Sequence, residues 1–154
     1  MSDRHDKRYK EILSQVKYAT IATSSNTGKP WNSPVAHFFD SEGNVCWFSA
    51  KDSVHSKNIR ENKDVFIVIY DSTIPVPNGD AVYIEAEAHE VNDIDELTKL
   101  IKDHADDWSR RLEQTTGEGI HRYYRSIAKN IWVNDAETDE NGKYIKDIRV
   151  EVVL

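Results

Sequence analysis

The stretch WFSAKDSVHSKNIRENKDVFIVIYDS, residues 47–72, decides how the chain folds. It opens as the end of a strand, since Val45–Ser49 is short and bulky. Ser53 then has N-cap chemistry, and Val54 and Ile59 mark a short amphipathic helix over Ser53 to Asn62. Val65–Tyr70 follows as a nearly continuous apolar run. Its length and its β-branched residues fit a strand buried on both faces. A strand, a one- to two-turn helix and a buried strand are not the alternating βα pattern of a doubly wound nucleotide fold.

Working outward, YATIATS at 18–24 is β-branched and reads as a strand. Asn26-Thr27-Gly28 is a turn, and the chain runs extended from Pro30 to Phe39. Pro30 and Pro34 lack an N–H, so they fit an edge, a strand start or a bulge. The loop at Asp40–Asn44 returns the chain into Val45–Ser49 as a hairpin. Residues 72–79 form a Pro- and Gly-rich loop. Ala81–Val91 alternates, with Val82, Ile84, Ala86 and Ala88 on one face. Two longer helices bracket these strands. Residues 4–16 place Tyr9, Ile12, Leu13 and Val16 on one face. Residues 92–108 form an acidic helix whose apolar face is Ile94, Leu97, Ile101, Ala105 and Trp108. Residues 109–119 read as irregular, and His121–Arg125 as a short helical piece. Ile131–Val133 and Asp147–Leu154 are the last strands, around the turn dipeptide Asn141-Gly142. About seven strands joined by short turns argue for an antiparallel sheet closed into a small β-barrel with helices outside.

The chain has 154 residues, the size of one domain, so 1–154 is read as a single unit. Lys and Arg number 20 against 27 Asp and Glu, a net charge of -7 with no basic stripe. A nucleic-acid partner is therefore not expected. No apolar run reaches the ~20 residues of a membrane span. The charged start MSDRHDKRYK lacks a secretory core, and Cys46 is the single cysteine, so the cytoplasm is the expected compartment. No Gly-rich phosphate loop, serine elbow or His/Cys pairing is present, and no metal site is expected. Cys46 reads as a small core filler.

Chemistry concentrates in 49–57. Ser49, Ser53, Ser56, Lys51, Lys57 and His55 lie within nine residues, at a strand end and a helix start. Free N–H groups at a helix start carry partial positive charge, and hydroxyl and ammonium groups add donors. Together they suit a phosphate-sized anion. An ordinary capped surface helix with solvated lysines is the plainer reading of the same residues. In Trp31–His37, Pro34 removes one ladder donor, which frees nearby backbone groups for a ligand or marks an edge strand. Trp31, Trp47, Tyr70, Trp108 and Trp132 could wall a flat ring, although buried aromatics more often serve the core.

With NSPV at 32–35, WFSAKDSVHSKNIREN at 47–62, VFIVIYDS at 65–72 and the closing IWVN and RVEV, the sequence resembles the pyridoxamine 5'-phosphate oxidase-like family of FMN-binding split barrels from Tyr18 onward. The resemblance implies a six-stranded antiparallel Greek-key barrel, mainly β with flanking helices, and a homodimer with FMN in a groove at its interface. It implies that Ser33, Pro34 and Val35 lie along the ring. Ser49, Ala50, Lys51, His55 and Ser56, with Lys57, hold the phosphate, and Trp132 comes from the partner. True oxidases of the family carry Arg-Lys where this chain has Val54-His55, and extend past the last strand with an Arg- and Trp-rich segment, whereas this sequence stops in RVEVVL. The expectation is thus an FMN-dependent oxidoreductase of another substrate. A non-catalytic flavin binder, or a barrel holding F420 or haem, is the alternative. No catalytic residue is evident, though His37 and Tyr70 flank the expected pocket.

Overall fold

The computed structural model describes residues 3–75 and 79–153. Positions 76–78 of the expected loop, the first two residues and Leu154 lie outside the described residues. In chain order the elements are α1 (Asp3–Gln15), β1 (Tyr18–Ser24), β2 (Pro30–Phe39), β3 (Val45–Ala50), α2 (Val54–Glu61), β4 (Asp64–Tyr70) and β5 (Ala81–Glu90). They continue with α3 (Ile94–His104), α4 (Trp108–Thr115), β6 (His121–Thr138) and β7 (Tyr144–Glu151).

Six strands close a ring. The sheet order is β3-β2-β1-β4-β5-β6, and β6 pairs back onto β3 through Trp47↔Tyr124 and its neighbours. All pairings are antiparallel. β3 and β4 are consecutive but not adjacent, so α2 carries the chain across one end of the ring. That crossing makes the barrel a Greek key. The seventh strand stands outside the ring and pairs with the second half of β6, from Trp132↔Glu151 onward. β6 serves both because it is 18 residues long and skips Lys129 in its pairing with β5 at Glu85/Ala86. Such a bulge bends and twists a strand, and here it separates the ring-closing half from the half that carries β7.

Alternation places two cores. Ile21, Trp47, Ile67, Ile84, Tyr124 and Val133 fill the barrel, with Trp47 and Tyr124 stacked at 5.6 Å. Cys46 and Tyr123 point the other way and pack under Leu97, Leu100 and Ile101 of α3. Tyr9 and Ile12 of α1 join the barrel core, and the ion pair Arg8–Asp80 at 2.6 Å ties that helix to the loop before β5.

Three local expectations are corrected. His121–Arg125 is strand, not helix, because all five residues pair with β3, and Tyr124 and Arg125 pair with β5 as well, and such pairing outweighs local propensity. The acidic helix stops at His104, and 108–115 forms the separate α4 rather than an irregular run. Trp108 therefore starts α4 instead of completing the apolar face of α3, and Ile94 is exposed. α4 offered no apolar stripe to read: its inward groups are Leu112 and Thr115, and the Thr115 hydroxyl bonds back to the Arg111 carbonyl at 2.8 Å. In α2, Val54 is exposed, while His55, Ser56, Asn58 and Ile59 face the barrel.

Candidate functional site

α2 lies over one end of the barrel, and polar groups fill the seam. Asn58 donates to the Thr23 hydroxyl at 3.0 Å, and Asn62 to Ser24 at 2.8 Å. These bonds fix the helix on β1. They place His55 against the inward-facing hydroxyls of two strands. Its Nδ1 lies 3.2 Å from Ser33 Oγ on β2, and its Nε2 lies 2.9 Å from Ser49 Oγ on β3. Ser53 Oγ is a third neighbour, 3.2 Å from Nε2. Ser53 also caps the helix: its oxygen accepts from the Ser56 N–H at 3.4 Å, and its proton goes to Ser56 Oγ at 2.8 Å. The Trp31 indole donates to Ser33 Oγ at 3.0 Å.

The imidazole is 9% exposed, and burial pushes its pKa below the ordinary histidine value. It is neutral near pH 7. Hydroxyls surround it, and among the described residues no acidic or basic side chain is hydrogen-bonded or ion-paired to the ring. The N–H groups of Val54 and His55, first in the helix, have no carbonyl one turn back within it. Ser33 and Ser49 are partly open to solvent, so this corner can present hydroxyl, imidazole and backbone donors to an oxyanion.

The structure brings Ser33, Ser49, His55 and Ser56 together. Ser56 has no exposed surface, and its hydroxyl bonds Ser53 and faces Tyr124 inside the seam. Lys51 borders the corner; its N–H donates to Ile120 O at 2.9 Å and its carbonyl accepts from Arg60 at 2.7 Å. Ala50 and Lys57 are exposed beside it. Val35 is buried and faces the core, while Pro34 faces outward. Pro34 borders a depression of about 310 Å³ with Tyr18, Thr20 and Tyr70. Trp132 is remote: Pro34, Thr20, Val68, Tyr83 and Trp132 are successive register partners across five strands. The other way round the ring, Ala50 pairs with His121, and Trp132 stands eleven residues further along β6.

His37 is partly buried, with its pKa pushed down by burial, and its ring edge packs on Phe39 at 5.2 Å. Tyr70 is 48% exposed at the rim of the depression. Cys46 is fully buried, and burial raises its thiol to about 12, so it is no nucleophile. Among the described residues no group of three or more His, Cys, Asp or Glu could hold a metal, and no helix is long and apolar enough to cross a membrane.

Sequence reading had Ser53 both as the helix cap and among the hydroxyls at 49–57, but missed Thr23, Asn58 and the indole of Trp31 as parts of the corner. Trp31 was the most legible of these, because it stands two residues before Ser33 on the same face of a strand. The Thr23–Asn58 pair, 35 residues apart, left no local signal.

A closed six-stranded Greek-key ring, plugged by a short helix with a hydroxyl-rich corner, defines the split-barrel class. The chain belongs to the pyridoxamine 5'-phosphate oxidase family, whose model, described as Pyridoxamine 5'-phosphate oxidase, matches residues 5–133. Several solved structures share the fold. HutZ, the haem storage protein of Vibrio cholerae, superposes with a TM-score of 0.69 at 16% identity, over 83% of this chain and 93% of that one. A haem-binding protein of Mycobacterium smegmatis gives 0.65 at 17%, over 91% of this chain and 55% of that one. A Listeria innocua protein provisionally described as a pyridoxamine 5'-phosphate oxidase gives 0.62 at 15%, over 83% and 96%. No curated protein matches the chain in sequence.

Proposed function

We propose that this chain is a cytoplasmic, homodimeric FMN-binding protein, a single split-barrel domain that works as an FMN-dependent oxidoreductase on a substrate other than pyridoxamine phosphate. The observation that carries the reading is the convergence of Ser33, Ser49 and Ser53 on His55 at the start of α2. Three elements gather hydroxyls, an imidazole and the first N–H groups of α2 at one corner, a set of groups that suits an oxyanion. Lys51 and Lys57 add charge at its edge. Along β2 the next residue, Pro34, turns outward to a depression where a flat ring can lie against Tyr18 and Tyr70. Bound FMN supplies hydride or electron transfer. The residues here hold its phosphate, orient its ring and shield one face of it from water.

Two further features support the dimer. Thr20, Val68, Tyr83 and Trp132 form an outward row beside Phe66, and Tyr18 and Tyr70 are 65% and 48% exposed near it. This apolar face suits a second copy of the chain. Trp132 is also too far along that face to meet a ligand held at Ser33 of its own subunit.

Absorbance of the purified protein, and FMN titration followed by flavin fluorescence, test the reading. A yellow protein, or saturable uptake of added FMN, is expected. A colourless protein that takes up no FMN overturns it. The haem storage and haem binding of HutZ and the Mycobacterium smegmatis protein favour a second reading, haem binding. A haem needs an axial side chain, and both nitrogens of His55 are already hydrogen-bonded. A Soret band after haem addition, with no FMN uptake, would select it.

A further inference from the structure

The hydrogen bonds around His55 have a fixed sense. The Trp31 indole only donates, so it occupies one lone pair of Ser33 Oγ. The Ser53 proton is committed to Ser56, so Ser53 faces the ring as an acceptor. A neutral His55 therefore carries its proton on Nε2, toward Ser49 and Ser53, and its Nδ1 accepts the proton of Ser33. If the ring gains a second proton, Nδ1–H donates to Ser33 Oγ instead. That oxygen then accepts twice, and its own proton is released. Ser33 is partly exposed, so the released proton can turn outward. No hydrogen bond is lost in the exchange, because a hydroxyl can both donate and accept.

We infer that His55 is a proton-linked anchor: a phosphate-bearing ligand docks with uptake of one proton by His55, which reverses the Ser33–His55 hydrogen bond and turns the Ser33 hydroxyl into a donor to the ligand. The inference rests on the anion site proposed above and adds how that site acquires charge where Val54-His55 stands.

The surroundings favour this ring as the titrating group. On its own segment Lys51, Asp52, Lys57, Arg60 and Glu61 are the charged residues, and none is bonded to it. Arg60 is engaged with the Lys51 carbonyl and with Glu90 of β5. From β6, Tyr124 faces Ser56, and Arg122 is paired to Glu90 at 3.2 Å. β1, β2 and β3 present Thr23, Trp31, Ser33 and Ser49, none of which titrates near neutral pH. Burial keeps the ring neutral in the free protein, and a doubly charged phosphate within reach reverses that balance.

Calorimetric titration of the whole protein at pH 7.5, in two buffers of different ionisation enthalpy, counts the protons taken up. FMN is one probe, and riboflavin, which lacks the phosphate, is the other. Close to one proton is expected per FMN and none per riboflavin, with FMN affinity weakening by up to tenfold per pH unit between the ring's lowered pKa in the free protein and its higher pKa in the complex. His55→Gln should abolish the uptake and flatten the pH profile. Nitrogen NMR of the wild-type imidazole gives a second measurement if that variant does not fold: both ring nitrogens should be protonated in the FMN complex and one in the free protein. FMN binding without proton uptake, or uptake that persists in His55→Gln, overturns the inference and leaves the FMN reading standing. Failure of FMN to bind at all overturns both.

Discussion

Ser53 shows how much one side chain of the corner does. Its hydroxyl accepts from the Ser56 N–H, donates to Ser56 Oγ and faces the His55 ring. Loss of an N-cap hydroxyl typically costs about 1 kcal/mol. Ser53→Ala also leaves the Ser56 hydroxyl short of a partner in a fully buried place. A loss of about 1–2 kcal/mol is expected, read as a lower urea midpoint, and Ser53→Thr should keep most of the stability. An unmoved midpoint in Ser53→Ala would mean that the seam does not depend on this bond. Trp47 is a different case, since its indole N–H is buried with no hydrogen-bond partner among the described residues. It holds its place by stacking on Tyr124 and by filling volume. The polar corner was legible in the sequence as a set of residue types. Its wiring was not, because Ser33 and His55 meet only when β2, β3 and α2 assemble.

At the scale of elements, the link between α4 and β6 is the tightest piece of chain. A Cβ on Gly119 would lie 2.3 Å from the Gln114 carbonyl oxygen and 2.5 Å from its carbon, both backbone atoms of α4. The Gly119 N–H also donates to the Thr116 carbonyl at 2.8 Å, so the segment has no room to back away. Gly119→Ala should therefore destabilise by about 2–3 kcal/mol, visible as a drop in Tm, with disturbance confined to α4 and the start of β6. Gly43→Ala is the control: its φ of +81° strains an alanine, but its surroundings are open. An equal or smaller loss at Gly119 than at Gly43 would count against the close approach. The same region held the largest misreading of the sequence. Residues 109–119, ending in Gly117 and Gly119, read as irregular, and His121–Arg125 as a short helical piece. Strand pairing decided the second, and packing of Leu112 and Thr115 decided the first.

At the scale of the molecule, one outward face of the ring carries a row of half-buried apolar side chains. Phe66 and Trp132 stack at 6.3 Å on it, and Arg149 of β7 lies 3.9 Å over Tyr83. Val68 sits centrally in the row from Thr20 to Trp132. Light scattering should give about twice the 17.7 kDa chain mass, and Val68→Lys should return the mass to one chain while far-UV dichroism is unchanged. A wild-type monomer, or a Val68→Lys dimer, would show that this face is not where copies meet.

The amino-acid order alone determined the strands with clear alternation or continuous apolar runs, the two long helices and the residue types gathered at 49–57. Each is set by neighbours two to four residues away, which is the range over which strand and helix periodicity act. The ring closure of β6 onto β3, the passage of α2 across the barrel end and the mutual bonding of Ser33, Ser49, Ser53 and His55 were decided only by the tertiary structure. These features join residues that are distant in the chain, and their energy comes from pairing and burial that exist only once the barrel is closed.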